Sequence, residues 1–122
     1  MLINLSNHPS DQWGALQKDT AVNSFGEIVD MSFPEIDPEW DKNQILNLAV
    51  VYYNKINEAW LKQPSKQIAV HLTGEITFCF CMANLLRSKG IPCVASTTRR
   101  NVQIEDGVKK SVFVFVKFRE YF

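Results

Sequence analysis

The residues of this chain that could do chemistry collect around one run, Ser96-Thr97-Thr98-Arg99-Arg100, which directly follows an apolar stretch. Arginine stays protonated at any working pH, and its planar fork of donors matches phosphate oxygens. The hydroxyl groups beside it can position the same oxygens. The run therefore indicates a site for an anionic ligand. The alternative is that a strand has ended and two arginines are solvated in a loop.

Both histidines stand near further polar residues. His8 follows Ser6 and Asn7 and precedes proline, which favours an extended or turn conformation with the imidazole free to face a site. An imidazole that titrates near neutrality suits general acid or base catalysis. His71 ends an apolar stretch, where a hydrogen-bonded structural histidine is at least as common as a catalytic one. We therefore favour His8 as the reactive histidine.

The run Thr73-Gly74-Glu75 opens a predicted helix. Free N–H groups and the positive dipole end of a helix attract anions, and Gly74 would let a ligand approach the backbone closely. Glu75 is an unfavourable neighbour for phosphate and could instead satisfy the helix dipole. Both interpretations stay open: the turn contacts the ligand, or it only caps the helix.

Composition limits the class of protein. The chain has 122 residues, of which 46% are hydrophobic and 21% charged, as expected for one soluble globular domain over residues 1–122. Thirteen basic and thirteen acidic side chains leave no net charge, which argues against binding to long nucleic acid. The sequence shows neither a signal peptide nor a membrane span, so we expect a cytoplasmic protein.

The cysteines and most phenylalanines are predicted to be structural. Cys79, Cys81 and Cys93 lie in apolar runs and match no zinc spacing, so we expect reduced core residues, no metal and no cofactor. Five phenylalanines alternate or follow helical spacing and are assigned to the core: Phe78, Phe80, Phe113, Phe115 and Phe118.

The hydrophobic pattern predicts the elements that position these residues. They are strand 1–7, helix 10–24, strand 27–33, helix 41–64, strand 66–72, helix 73–90, strand 91–96 and a hairpin over 101–118. We expect Ser10 to cap the first helix, Asp41 and Gln44 to form a capping box at the second, and Asp106-Gly107 to close the hairpin. The third helix is apolar nearly all round, so part of its cover could come from another subunit.

This order predicts an α/β fold, a small Rossmann-like three-layer sandwich with four parallel strands plus a C-terminal antiparallel hairpin. We favour the strand order 2-1-3-4 over 3-2-1-4. Ligands of such sheets bind beyond the carboxyl ends of the strands, near the switch point in strand order. Residues 6–10, 33–37, 71–75 and 96–100 all follow predicted strands. The topology therefore brings the candidate residues to one edge.

In this arrangement the chain resembles the small CRISPR-associated Rossmann-fold proteins, the CARF-type sensors and the stand-alone ring nucleases related to them. The likeness is one of architecture and extends from Met1 to about Val102. It rests on the strand tip at residues 6–8, the helix start at residues 73–75 and the strand tip at residues 97–99. We expect no effector domain, which disfavours a sensor that switches an attached nuclease.

The resemblance implies a homodimer that binds cyclic oligoadenylate, a second messenger of type III CRISPR systems, and cuts it without a metal. A ribose 2′-hydroxyl would attack the neighbouring phosphorus and leave cyclic 2′,3′-phosphate ends. His8 would then move a proton, and Arg99 or Arg100 would stabilise charge. The predicted ligand-binding residues are Ser6, Asn7, His71, Thr73, Gly74, Glu75, Ser96, Thr97 and Thr98.

Other functions stay open on the same residues. The runs at residues 8–10 and 71–73 fit the His-x-Ser/Thr pattern of two-histidine phosphoesterases, which act on 2′,3′-cyclic or 2′,5′ phosphodiesters. A non-catalytic nucleotide-binding domain would use the same arginines and helix start. A scaffold that binds a partner protein through the apolar third helix is a further alternative.

Overall fold

The computed structural model describes residues 1–64 and 66–122. Its elements are β1 (Leu2–Ser6), a 3-10 turn (Ser10–Gln12), α1 (Ala15–Phe25), β2 (Ile28–Ser32), α2 (Lys42–Leu61), β3 (Ala69–Thr73), α3 (Ile76–Ser88), β4 (Cys93–Glu105) and β5 (Val108–Glu120). The sheet has the order β2-β1-β3-β4-β5, in which β1 to β4 are parallel and β5 is antiparallel. The predicted α/β class and the 2-1-3-4 order are confirmed.

Helices cover both faces of the sheet. Side chains of β1 alternate between two cores: Ile3 and Leu5 pack with α2 and α3, and Leu2 packs with α1 residue Ala21. Burying one such leucine or isoleucine contributes roughly 2 kcal/mol. Apolar side chains on both faces of the central strands therefore hold the three layers together. Within the described ranges, no helix is long and apolar enough to cross a membrane.

The second helix begins as predicted and the first does not. Asp41 and Gln44 form the expected capping box, with the Asp41 N–H donating to Gln44 Oε1 at 2.6 Å. The first helix begins at Ala15, and Gly14 occupies its N-cap position instead of Ser10. Ser10 bonds to Asp30 instead, through its hydroxyl at 2.8 Å and its N–H at 3.0 Å. The predicted capping serine is thus hydrogen-bonded to a carboxylate on β2 and does not cap the helix.

The fourth strand is longer than predicted. It continues through residues 96–100 to Glu105, so the fourth strand and the first arm of the hairpin are one element. The Asp106-Gly107 turn is confirmed, and both of its residues have the positive φ that a tight hairpin turn requires. Residues 97–100, which the prediction left between the fourth strand and the hairpin, are not a loop, because β5 supplies antiparallel partners for all four.

The hairpin (residues 93–120) and α3 expose apolar side chains that the sequence assigned to the core. Phe78 is buried as predicted, and Phe115 and Phe118 are half-buried. Phe80 is 68% exposed and Phe113 is 64% exposed, which corrects their assignment. Within the described part of the chain, neither ring is covered by another layer.

The cysteines agree with a structural role. All three are free thiols; Cys79 and Cys93 are buried, whereas Cys81 is half-buried. Burial raises the pKa of Cys79 to about 11 and that of Cys93 to about 12. These two thiols are therefore protonated at neutral pH and poorly reactive.

Candidate functional site

A row of polar side chains crosses the centre of the sheet. β2 lies on one side of β1, whereas β3 and β4 lie on the other side. The switch point in strand order is therefore between β1 and β3. In the register of the strands, Asn4 of β1 lies beside Asp30 of β2 and beside His71 of β3. We call Asp30, Asn4, His71 and Ser96 of β4 the polar row. β1 and β3 end two residues further on, at Ser6 and Thr73, and ligands of open α/β sheets bind beyond such carboxyl ends.

Asn4 connects the members of this row. Its Nδ2 donates to Asp30 Oδ1 at 2.8 Å and to the His8 carbonyl at 2.9 Å. Its Oδ1 lies 2.8 Å from Ser6 Oγ, which donates to it, and 2.8 Å from His71 Nδ1. A carboxylate only accepts, so Asp30 fixes which end of the amide donates. Because Asn4 Oδ1 then faces His71, the Nδ1 of His71 carries the ring proton.

The other nitrogen of His71 faces Ser96. Nε2 lies 3.2 Å from Ser96 Oγ, and with the proton on Nδ1 it accepts the hydrogen bond from that hydroxyl. His71 is only 2% exposed, and the rings of Trp13 and Phe118 meet it edge-on at centroid distances of 5.2 and 5.6 Å. Burial, helped by the charge of His8, lowers the pKa of His71 to about 4. His71 is therefore a neutral base at physiological pH.

Asp30 holds the opposite end of the polar row. Burial works against its ionisation, but hydrogen bonds from Asn4 and Ser10 outweigh that effect and lower the pKa of Asp30. The carboxylate is thus charged at neutral pH. It does not touch His71 but orients the Asn4 amide that does.

A groove lies over the polar row. The His71 groove has a volume of about 490 Å³ and runs between residues 12–17, at the start of α1, and hairpin residues 113–115. His71, Ser96 and Thr73 also line it. The half-buried Ser96 hydroxyl therefore stands between the buried imidazole and the open groove.

A second groove opens on the other side of the same edge. The α3 groove, also about 490 Å³, lies between α3 and the C-terminal residues, and it shares Thr73 and Ser96 with the His71 groove. The parallel register of β3 and β4 ends at the pair His71/Val94. Beyond that pair the two strands separate, which opens the edge beside Ser96.

The structure brings together about half of the residues predicted for the site. Of the predicted residues, five line the His71 groove, namely His8, His71, Thr73, Ser96 and Thr98, and Gly74 lines the α3 groove. Ser6 is buried, and its hydroxyl bonds to Asn4 and to the backbone of His8. The His8 carbonyl accepts from Asn4 and Trp13, whereas its imidazole is exposed at the groove.

The helix start at residues 73–75 is occupied by its own side chain. The Glu75 carboxylate accepts from the N–H groups of Phe78 at 2.7 Å and Thr77 at 3.1 Å. Hydrogen bonds from Thr77 and Phe78 lower the pKa of Glu75. A Cβ at Gly74 would collide with the ring of Phe33. Packing against Phe33 thus favours glycine at this position, and the cap interpretation accounts for both residues.

The hairpin residues of the predicted site lie apart from the grooves. The Thr97 hydroxyl exchanges hydrogen bonds with the Lys117 backbone at a β-bulge, at 3.1 and 3.2 Å. Arg99, Arg100 and Asn7 are exposed and do not belong to the lining of either groove. Arg100 donates to Ser111 Oγ at 3.0 and 3.2 Å.

Strand alternation distinguishes the two arginines. Side chains on a strand point alternately to its two faces. Arg100 therefore shares a face with Ser96 and Thr98, which line the His71 groove, whereas Arg99 points to the opposite face. Of the two, Arg100 lies on the face that continues the groove.

Sequence reasoning missed Asn4, Asp30 and Trp13. A signal for the first two is present in three strands, which read LINLS, IVDMS and AVHLT. Each has a polar third residue and a hydroxyl at its fifth, and the register aligns these positions across the sheet. Buried parallel strands are normally apolar throughout, so the repeated polar position indicates a shared network.

These features define an α/β sandwich with a buried neutral histidine below a groove at the switch point of its sheet. The chain belongs to the Uncharacterized protein MJ1673 family, whose model matches residues 1–119. No curated protein and no solved structure matches the chain. The family description states no activity, so the function must be argued from the groove.

Proposed function

We propose that the protein is a metal-independent ring nuclease that binds and cleaves cyclic oligoadenylate, the second messenger of type III CRISPR systems, in the His71 groove. One observation carries the proposal: at the switch point, a neutral imidazole presents its free nitrogen to the groove through the Ser96 hydroxyl. The imidazole is unprotonated at neutral pH and can therefore accept a proton from a ribose hydroxyl without a metal.

The proposed step moves one proton along the polar row. A ribose 2′-hydroxyl beside Ser96 gives its proton to Ser96 Oγ while Ser96 gives its own to His71 Nε2. The 2′-oxygen bonds to the adjacent phosphorus, and the bond to the 5′-oxygen breaks. The leaving oxygen takes a proton from His8 at the groove, which leaves a cyclic 2′,3′-phosphate. Asn4 Oδ1 stabilises the charge that forms on His71.

Charge distribution supports an anionic ligand at this edge. The hairpin carries six basic and three acidic residues, so the rest of the chain, with seven and ten, is acidic. Hydroxyl groups of Thr73 and Thr98 line the groove, and Arg100 extends the same face. The proposal gives Arg100 the main contact to phosphoryl oxygens and gives Arg99 a general electrostatic role.

Aromatic side chains support recognition of the base. The exposed Phe113 lines the His71 groove, and adenine stacks on such rings. The exposed Ile76 and Phe80 line the α3 groove and support a homodimer that covers this edge. The free thiols fit the reducing cytoplasm, to which the proposal assigns the protein.

The test is incubation of the purified protein with cyclic tri-, tetra- and hexa-adenylate in excess EDTA, followed by chromatography. Linear fragments with cyclic-phosphate ends are expected. His71→Gln should lower the cleavage rate at least 100-fold, because it removes the base. Arg100→Ala should weaken binding more than its matched control, Arg99→Ala, on the opposite face. Intact rings without binding would overturn the proposal.

A non-catalytic nucleotide-binding domain is the second candidate. It is favoured by the complete hydrogen bonding of His71 and by the position of both arginines outside the grooves. Tight binding of rings that stay intact would establish it. A two-histidine phosphoesterase would instead need His8→Ala and His71→Ala to be equally damaging. The unequal surroundings of the two imidazoles, one exposed and one buried, lead us to expect unequal losses.

A further inference from the structure

We propose that Ser96 is a nucleophile, activated by His71 and positioned through Asn4, that hydrolyses small carboxylic esters bound in the His71 groove. This activity goes beyond ring cleavage, in which Ser96 only passes on a proton. Nucleophilic catalysis by serine needs a base within hydrogen-bond reach and a third group that orients the base. The polar row supplies all three in order across adjacent strands.

The distances agree with these roles. Ser96 Oγ lies 3.2 Å from His71 Nε2, and His71 Nδ1 lies 2.8 Å from Asn4 Oδ1. Asn4 has a single orientation because its Nδ2 donates to Asp30. The free lone pair of the imidazole is therefore held on the side of Ser96. The edge-on rings of Trp13 and Phe118 close the remaining sides of the histidine.

The aromatic walls of the groove accommodate a neutral acyl group as well as a nucleotide base. Ser96 is half-buried and lines both grooves, so its hydroxyl is accessible to a ligand. The walls of the His71 groove include Trp13, Phe113 and Phe115. Among its lining residues, all within the described part of the chain, none is aspartate, glutamate, lysine or arginine. An uncharged ester with a short apolar acyl chain matches such walls.

The proposed reaction balances without a cofactor. Ser96 Oγ attacks the ester carbonyl carbon while His71 Nε2 takes the serine proton, and the hydroxyls of Thr73 and Thr98 are the nearby donors for the oxyanion. The bond to the alcohol oxygen breaks, and that oxygen takes the proton from His71. Water then attacks the acyl-serine and gives its proton to His71, which returns one to Ser96 as the carboxylic acid leaves.

The test uses p-nitrophenyl acetate and butyrate as substrates and a fluorophosphonate as a covalent probe, with the modified residue located by mass spectrometry. We expect a probe adduct on Ser96, no adduct and at least a 100-fold slower ester hydrolysis in Ser96→Ala, and a similar loss in His71→Gln. Ser24→Ala, at an exposed position of α1, is the matched control and should behave as the wild type. Ser96→Cys keeps a nucleophile at the same place and should be alkylated by iodoacetamide at residue 96.

The outcomes separate the two proposals. Wild-type protein that gains no adduct and hydrolyses esters no faster than Ser96→Ala overturns the nucleophile, whether or not it cleaves cyclic oligoadenylate. A Ser96 adduct on a protein that leaves the rings intact supports the nucleophile and overturns the ring nuclease. Circular dichroism of each variant shows whether it is folded. If Ser96→Ala does not fold, Ser96→Cys still tests whether the side chain at position 96 is nucleophilic.

Discussion

The carboxyl edge of the sheet and the hairpin both carry polar residues, but they hold them in different ways. At the edge, Asn4 and His71 are buried and each polar atom has a partner. On the hairpin, Arg99 and Arg100 are exposed, and Arg100 donates hydrogen bonds to a serine hydroxyl. Catalytic geometry needs side chains that are held in place, so the edge is the better candidate for chemistry and the hairpin for electrostatic attraction.

The largest expected effect is the loss of stability in acid. His71 has a pKa of about 4 in the folded protein and near 6.5 when unfolded, so the unfolded chain binds more protons between these values. Stability is then lost as the pH falls from 6.5 towards 4, by roughly 3 kcal/mol at about 1.4 kcal/mol per pH unit. Urea unfolding across this range measures it.

His71→Gln is the control for that experiment, because glutamine does not titrate. The groups near His71 that could add to the effect are His8, whose charge acts on it, and Asp30, which acts through Asn4. Asp30 has a lowered pKa, so the stability that its carboxylate contributes is also lost only in acid. An equal acid loss in His71→Gln and in the wild type would contradict a buried neutral histidine.

Removal of the connecting amide should come next. Asn4→Leu leaves His71 Nδ1–H buried without an acceptor and should lower the free energy of unfolding by about 2 to 3 kcal/mol. Asn7→Ala changes the exposed asparagine three residues away and should cost less than 0.5 kcal/mol, about the usual surface effect. Similar urea midpoints for both variants would show that the polar row is not tightly held.

The glycine at the edge gives a smaller, steric test. Gly74→Ala places a methyl group against the Phe33 ring and should cost about 2 kcal/mol. Gly14→Ala meets no atom within 4 Å and should cost under about 1 kcal/mol, the N-cap preference for glycine over alanine. Thermal unfolding of the pair measures the difference. If Gly74→Ala is neutral, the packing of Phe33 there is looser than the structure has it.

The smallest effect is expected on the hairpin. Arg99→Ala and Arg100→Ala should each change stability by less than about 0.5 kcal/mol, because both side chains are exposed. A loss above about 1 kcal/mol for Arg100→Ala, measured in urea, would mean that its bond to Ser111 is structural. Arg100 would then be a structural residue, unlike the rest of the hairpin, which is expected to tolerate substitution.

Local patterns sufficed for much of the fold. The α2 capping box and the Asp106-Gly107 turn follow from short-range signals, and the strand order was inferred from the alternation of strands and helices; all three were predicted correctly. The start of α1 was not, because Ser10 is drawn to a carboxylate on a strand that lies twenty residues away. The length of β4 was not predicted either, because it depends on the hydrogen-bonding partners that β5 offers along the strand.

The candidate site, like the fold, was predicted in part from local patterns and in part only revealed by the tertiary structure. The sequence by itself determined that polar residues follow the strands of an α/β sheet and meet at one edge, because side-chain type and periodicity suffice for that. Only the tertiary structure decided that Asn4 of β1 fixes the tautomer of His71 on β3 and aims it at Ser96 on β4. Hydrogen bonds between residues 67 and 25 positions apart depend on strand register and burial, which no local pattern encodes.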